Sequence, residues 1–409
     1  MGNPSEYTSE ADRLVLSGLR SRGEAWVVGG WVRESLSGAP STDMDIATTL
    51  LPHEVKEIFP HSLMYGADYG TVAVRLDEHD EFWEVTTLRS EGGYGDGRRP
   101  DSVEFGVDIN DDLSRRDFTI NAMAYDSKWN LIDPFGGSAD LEEGVLRSVG
   151  NARARLGEDG LRVMRAYRFL ASQKVEAMDA ELMQAVKENV AMLGQVSKER
   201  IGDEMRRTLS APNANAAISM MQADTVIEQI LPGLSARTDV SLRGDSVVNL
   251  ALVCSGDARS GAELSVLLRD SLKMSNDELR EIAFLHDARD VPLPSDAPSM
   301  RVFRASLPKL RQSRFVDYSA GIGRDVSQFE LSISELIPLR AGNAPLVDGN
   351  TLSEVTGLEP GPRMGRLKAM LHRFQIERDL ANRDDVLSLL DEIDWRESEH
   401  EDWPSLSWP

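Results

Sequence analysis

Apolar residues fall at two different spacings along this chain, and the change from one to the other divides it. Up to about Ile132 they come in short runs and alternations. Ala25–Val28 reads as a buried strand, Val72–Leu76 alternates weakly, and Phe82–Thr87 is rich in β-prone residues. Ahead of these, residues 9–20 place Leu14, Val15, Leu16 and Leu19 at helical spacing. The stretch Asp117–Asp126 reads as a helix or a strand entry, and Asp133–Gly137 as a turn. Beyond Leu141, apolar positions recur every three or four residues through Leu161–Leu170, Leu182–Leu193 and Ile201–Leu209. The remainder stays helical in pattern, with breaks at Pro232-Gly233 and within Pro292–Pro298. The spacing therefore predicts an α/β unit followed by a helical array, with no repeat of fixed period. Glu91–Pro100 holds four glycines and ends in proline, which predicts a mobile loop. Asp391–Pro409, rich in Glu, Asp, Trp and Ser, is expected to be loosely held.

Length and composition narrow the picture. A chain of 409 residues exceeds one ordinary domain, so two to four folding units are expected. No apolar run is long enough for a transmembrane helix, and the first residues lack the basic and apolar segments of a secretory signal. The single cysteine, Cys254, lies in an apolar run and is expected in the core, so no disulfide framework can form. These features predict a cytoplasmic protein with no membrane partner. The net charge of −23 argues against a nucleic-acid binder if spread evenly. It is not spread evenly. Basic residues gather at Arg147, Arg153, Arg155, Arg162, Arg165 and Arg168, at Lys198, Arg200, Arg206 and Arg207, and at Arg301, Arg304, Lys309, Arg311 and Arg314. Binding electrostatics are local, so these groups keep an anionic partner open.

Three constellations carry candidate chemistry. The strand Ala25–Val28 runs into Gly29-Gly30 and a helix bearing Arg33; glycines there let backbone N–H groups approach a phosphate. A dozen residues on, Asp43-Met44-Asp45 presents two carboxylates to one side of a strand, since side chains alternate with period two. Such oxygens suit a hard divalent cation. Either piece alone is common in turns; their order points to metal-assisted phosphoryl or nucleotidyl transfer. In Arg115-Arg116-Asp117-Phe118-Thr119-Ile120-Asn121-Ala122, an arginine fork suits phosphate oxygens and Asn121 suits a ribose hydroxyl; helix capping and surface pairing explain the same residues. In Gly157–Phe169, Asp159 and Arg162 are predicted neighbours on a helix, either as a surface ion pair or as acceptors and donors for a base edge. Arg165 and Arg168 continue the step, while Val163, Met164, Tyr167 and Leu170 face the core. Glu84, on the neighbouring β-prone strand, is a third carboxylate, a general base, or an exposed strand residue. His286-Asp287 lacks the second His and Asp that a metal-dependent phosphohydrolase needs.

The order of strand, Gly-Gly, helix and Asp-x-Asp resembles the nucleotidyltransferase superfamily that includes DNA polymerase beta. More closely, GGWVRESL…TDMDIATT, RRDFTINA and EDGLRVMRAYRF resemble class II tRNA nucleotidyltransferases and bacterial poly(A) polymerases. Leu131–Gly137, Ser197–Glu204, Ser271–Asn276, Leu346–Gly349 and Leu358–Gly365 extend the likeness over almost the whole chain, closest to the CCA-adding branch. The resemblance implies an α+β protein. Its mixed-sheet, polymerase beta-like head would span residues 1–140, its helical neck 141–215, its body 216–300, and its RNA-binding tail 301–409 with an acidic end. It implies that Asp43 and Asp45 hold Mg²⁺, and that Gly29, Gly30, Arg33 and Arg116 meet the triphosphate. Asp117 and Asn121 would shape the sugar site, Asp159 and Arg162 read the base, and Arg165 and Arg168 hold the nucleotide. The implied substrates are the tRNA 3′ end, CTP and ATP. Glu34 replaces the Asp usual after the Gly-Gly-x-Val-Arg segment, a carboxylate one methylene longer. CC-only relatives shorten the loop that Arg89–Pro100 retains, and poly(A) polymerases usually end basic where this chain ends acidic. CCA addition is thus the expectation. A-only addition, poly(A) synthesis and a catalytically inert RNA-binding scaffold are the alternatives.

Overall fold

The structure, a computed structural model, describes residues 3–38, 43–77, 79–92, 102–172, 174–243 and 245–409. The chain forms two compact units: Met1–Leu234 with Leu268–Met274, and Ser235–Leu267 with Ser275–Pro409.

The first unit begins with α1 (Glu10–Arg20), whose start is fixed by a reciprocal cap between Ser9 and Asp12. The other oxygen of Asp12 accepts the Trp83 indole N–H at 2.8 Å, tying the helix to the sheet. Then follow β1 (Ala25–Val28), α2 (Gly30–Leu36), β2 (Asp45–Thr48), α3 (Pro52–Ile58), β3 (Thr71–Val74), β4 (Trp83–Thr87), β5 (Arg89–Gly92), β6 (Ser102–Phe105), α4 (Ile109–Ser114), β7 (Ala124–Tyr125) and β8 (Leu131–Ile132). Six strands form one sheet in the order β3-β4-β2-β1-β7-β8. Only β2–β4 is parallel, so the sheet is mixed, as expected. Alternation sorts its faces. Val27, Ile46, Val72 and Val85 join Val15, Leu16, Trp31 and Val32 in one core. Val28 and Ala47 join Leu113, Ala122 and Ala124 in another, and this second face also carries Asp45, Glu84 and Thr86.

Three local expectations need correction. Strand pairing starts at Asp45, so Asp43 stands just ahead of the strand rather than on it, although Met44 between them is buried. Asp117–Asp126 is neither one helix nor one strand: a single 3₁₀ turn at Thr119–Asn121 leads into β7. Arg89–Gly92, at the mouth of the segment read as irregular, pairs with Ser102–Phe105 as a hairpin, because ladder partners satisfy its backbone. The glycine-rich stretch from Gly93 onward lies outside the described residues.

Next come α5 (Gly137–Glu143), β9 (Val145–Leu146), α6 (Ala152–Glu158), α7 (Leu161–Leu170), β10 (Ala177–Met178), α8 (Ala180–Asn189) and α9 (Lys198–Leu209). Asp159 is not helical: it sits extended between α6 and α7, at φ −142° and ψ 110°. Gly160, which follows it, is back in helical φ/ψ, and a Cβ there would come within 2.6 Å of the Met192 carbonyl oxygen, so the position needs glycine. Val163, Met164 and Tyr167 are fully buried, as the helical period requires, and Leu170 nearly so.

In the second unit Cys254 is buried, and burial pushes its thiol pKa up. His286 is buried with Nε2 against the Arg259 carbonyl, and Asp287 accepts the Gly261 amide; both residues are structural there. The end of the chain is not loose. Trp395 and Trp403 are buried, and Arg363 donates to the carbonyls of Trp395, Arg396 and Ser398. Trp408 packs edge-on against Phe303 and Phe315, with centroids at 5.0 and 4.5 Å. Acidic composition suggested mobility, and three indoles outweigh it. Among the described residues, no helix is long and apolar enough to cross a membrane.

Candidate active site

A cavity of about 490 Å³ opens in the first unit over the second face of the sheet. Its walls come from the β1–α2 turn, from β2 and β4, from the Arg115–Asn121 segment, and from α7 and α9. Gly29, Gly30, Arg33, Asp45, Glu84, Arg116, Asp117, Asn121, Asp159, Arg162, Arg165 and Arg168 all line it. Of the residues singled out from the sequence, only Asp43 does not; it is exposed just outside.

The sheet sets the carboxylates. Asp45 starts β2 opposite Val28, and the parallel register of Ile46 with Val85 brings Asp45 level with Glu84 on the same face. Burial, with Glu84 and Asp43 adding repulsion against the pull of Arg116, raises the Asp45 carboxyl from 3.8 to about 6. The charges of Arg116 and Arg33 do not offset the burial and the two neighbouring carboxylates, and these oxygen donors fit a hard divalent ion. Asp43, Asp45 and Glu84 do not close into a tight triad. Among the described residues, the group of three ligand-type side chains within 4.8 Å of one another is the surface trio Glu399, His400 and Glu401.

Gly29 has φ +69°, and a Cβ there would meet Arg116 Nη1 at 3.0 Å and Asp45 Oδ2 at 3.3 Å. Glycine is therefore needed both for conformation and for closeness. Asp112, buried on α4, receives Arg115 at 2.8 Å and Arg116 at 3.2 Å. Arg33 donates to the Asn121 side-chain oxygen and pairs with Glu34 at 3.0 Å. Burial raises the Glu34 pKa, but Lys174 and Arg33 outweigh it and hold the carboxylate low. The longer carboxylate at this position is thus engaged in an ion pair with Lys174. Asp117 accepts the Asn121 amide at 3.0 Å and Arg165 Nε at 2.6 Å. Burial works against ionisation of Asp117, yet Arg165, Asn121 and Arg162 bring its pKa to about 2.

The α7 side differs from the sequence reading in its pairing. Asp159 and Arg162 do not pair with each other. Asp159 takes Arg200 at 2.6 Å and caps Leu161 N at 2.9 Å. Arg162 pairs with Glu158, one turn before it, and donates to the Arg155 carbonyl at 2.7 Å. The break at Asp159 turns its carboxylate away from the i, i+3 geometry of a continuous helix. Arg168 meets Glu204 at 2.8 Å, and burial with Arg165 nearby lowers its pKa to about 10. Phe169 lies beneath Arg33, Arg165 and Arg168, whose guanidinium carbons stand 5.1, 5.8 and 4.5 Å from its centroid. Sequence reasoning gave no role to Phe169, Asp112, Arg200 or Glu204. The signals were that Phe169 closes the third motif, that Arg200 belongs to one of the basic groups, and that Arg200 and Glu204 lie one helical turn apart in Ser197–Glu204.

Comparison with known proteins agrees with this architecture. Residues 25–147 match the Poly A polymerase head domain, and 177–237 match the "probable RNA and SrmB- binding site of polymerase A". The CCA-adding enzyme of Lactobacillus johnsonii is 34% identical over 393 residues, covering 91% of this chain and 94% of that protein. That of Streptococcus mutans is 33% identical over 394 residues, covering 93% and 95%. The crystal structure of the Bacillus stearothermophilus CCA-adding enzyme in complex with CTP superposes with a TM-score of 0.78 at 27% identity, covering 96% of this chain and 98% of that one. Fold and cavity together define a nucleotidyltransferase with a polymerase beta-like head. At such identity over nearly the full length, the chain belongs to the CCA-adding enzyme family, whose members generally use a divalent metal.

Proposed function

We propose that this chain adds C, C and A in turn to the 3′ end of tRNA, without a nucleic-acid template, in the cytoplasm. CTP and ATP are the donors, pyrophosphate leaves, and Mg²⁺ is the metal. Asp43 and Asp45 hold the ion, with Glu84 beside them as third carboxylate or general base. Bound there, Mg²⁺ lowers the pKa of the RNA 3′-hydroxyl and neutralises charge at the α-phosphate. Gly29, Gly30, Arg33 and Arg116 bind the triphosphate. Asn121, oriented by Asp117 and Arg33, takes the ribose. Asp159 and Arg162 meet the base edge, Asp159 accepting and Arg162 donating, and Arg165 and Arg168 steady the nucleotide over Phe169. We assign residues 1–140 to the catalytic head, 141–215 to the neck, 216–300 to the body and 301–409 to the RNA-binding tail.

The observation that carries this reading is that one cavity joins Asp45 and Glu84 on the sheet to Asp159 and Arg162 of the neck. Purified protein would be incubated with tRNA lacking its 3′ end, Mg²⁺, and CTP or ATP separately and then together. Ordered use of CTP and then ATP is expected. Refusal of CTP with ATP accepted on a CC end means A-only addition, long A tails mean poly(A) synthesis, and tRNA binding without extension means an inert scaffold.

A further inference from the structure

We infer that Arg207, at the rim of the cavity with Arg168 beside it, forms a phosphate-binding subsite for the backbone of the incoming RNA; this rests on the proposed function. Every other arginine lining the cavity is in an ion pair, from Arg33 with Glu34 at 3.0 Å to Arg200 with Asp159 at 2.6 Å. A paired guanidinium acts outward as a dipole, and its field fades faster than that of a single charge. Arg207 is exposed, lines the same cavity, and has no carboxylate or hydrogen-bond partner among the described residues. Its net charge is therefore available to an anion.

The placement follows from α9. Arg200, Glu204 and Arg207 are spaced by four and three residues and so share one helix face, the face turned to the cavity. The first two are committed to Asp159 and to Arg168. Only the third is left over. Repulsion from Arg207 is one of the influences that lower the Arg168 pKa, so the two guanidinium groups stand within electrostatic reach of each other. A phosphate oxygen near both would relieve that repulsion. In a chain of charge −23, such a site must be local to attract RNA at all. An arginine fork suits a phosphodiester, and the same chemistry would take a nucleotide phosphate.

The test measures direct binding of a tRNA transcript lacking CCA to the full chain, over a series of KCl concentrations and without nucleotide. For Arg207→Gln, the slope of log affinity against log salt should fall by roughly 0.7–0.9, the value of one lost phosphate contact. Arg207→Lys should keep most of the slope. Arg206→Gln, which removes the neighbouring charge already paired with Asp203 at 2.9 Å, should leave it unchanged. If the RNA slope of Arg207→Gln stays at the wild-type value while the KM for CTP and ATP rises severalfold, the assignment to RNA is overturned and the site takes the nucleotide phosphate instead. If neither moves, the inference is overturned. Binding does not require turnover, so wild-type protein that binds tRNA without extending it would refute the proposed activity and leave this test intact.

Discussion

Asp117 offers the sharpest test of how the sheet and α7 are held together. Its carboxylate is buried at 8% exposure, accepts the Asn121 amide, and takes Arg165 of α7 at 2.5 Å. A carboxyl held at about 2 instead of 3.8 favours its ionised form by about 2 kcal/mol, at about 1.4 kcal/mol per pH unit. The folded pKa is depressed, so this contribution is complete above the unfolded pKa and is lost as pH falls from about 4 to about 2. Asp117→Asn keeps the shape and removes the charge, leaving Arg165 only Glu204, at 3.9 Å. Urea unfolding followed by circular dichroism at pH 7, 5 and 3 should show the variant about 2 kcal/mol less stable at pH 7 and 5, with the gap narrowing at pH 3. A gap below about 0.5 kcal/mol at pH 7, or one that widens on acidification, would refute the reasoning, because the carboxylate would then be only a passive surface neighbour.

Other outcomes follow from the same geometry. Asp45→Asn should reduce nucleotide incorporation by at least about 100-fold while leaving the circular dichroism spectrum unchanged, since metal electrostatics supply several kcal/mol at the reacting phosphate. The raised Asp45 pKa sets a pH dependence: below about 6 a proton competes with the cation. Half-saturating Mg²⁺ should therefore climb roughly tenfold per pH unit below 6 and level off above it, as Mg²⁺ titrations of activity at pH 5 to 8 would reveal. Gly29→Ala must place a Cβ at φ +69° and 3.0 Å from Arg116 Nη1. It should cost about 1–2 kcal/mol, lowering the melting temperature by a few degrees and activity by about tenfold. Trp403→Ala, emptying a buried site whose indole N–H donates to Ser398 at 2.8 Å, should destabilise the second unit by about 3 kcal/mol in calorimetry.

Local chemistry was readable from the sequence, and long-range pairing was not. The strand Ala25–Val28, the glycine turn and α2 follow from periodicity and from the one residue that tolerates φ +69°. The family resemblance named the cavity residues, and all but Asp43 line one space. What sequence could not show were partners distant along the chain. Asp159 meets Arg200, Arg168 meets Glu204, and Lys174 meets Glu34 because the fold brings them together. Helical spacing wrongly joined Asp159 to Arg162, because the backbone is extended at Asp159 and its carboxylate meets Arg200, which is distant along the chain. The last residues misled in the same way: their acidity is visible in the sequence, but the aromatic bed that receives Trp408 is not.

The seam between the head and α7 has a consequence for engineering. Phe118 and Phe169 meet edge-to-face at 5.5 Å beside the Asp117–Arg165 bond, so the seam is held by one ring pair and one ion pair side by side. A helix grafted in place of α7 should dock on this sheet only if it presents a cation at position 165 to Asp117 and an aromatic ring at position 169 to Phe118. Changing Asp117, Phe118, Arg165 or Phe169 on one side alone would leave a buried charge or ring on the other side without its partner.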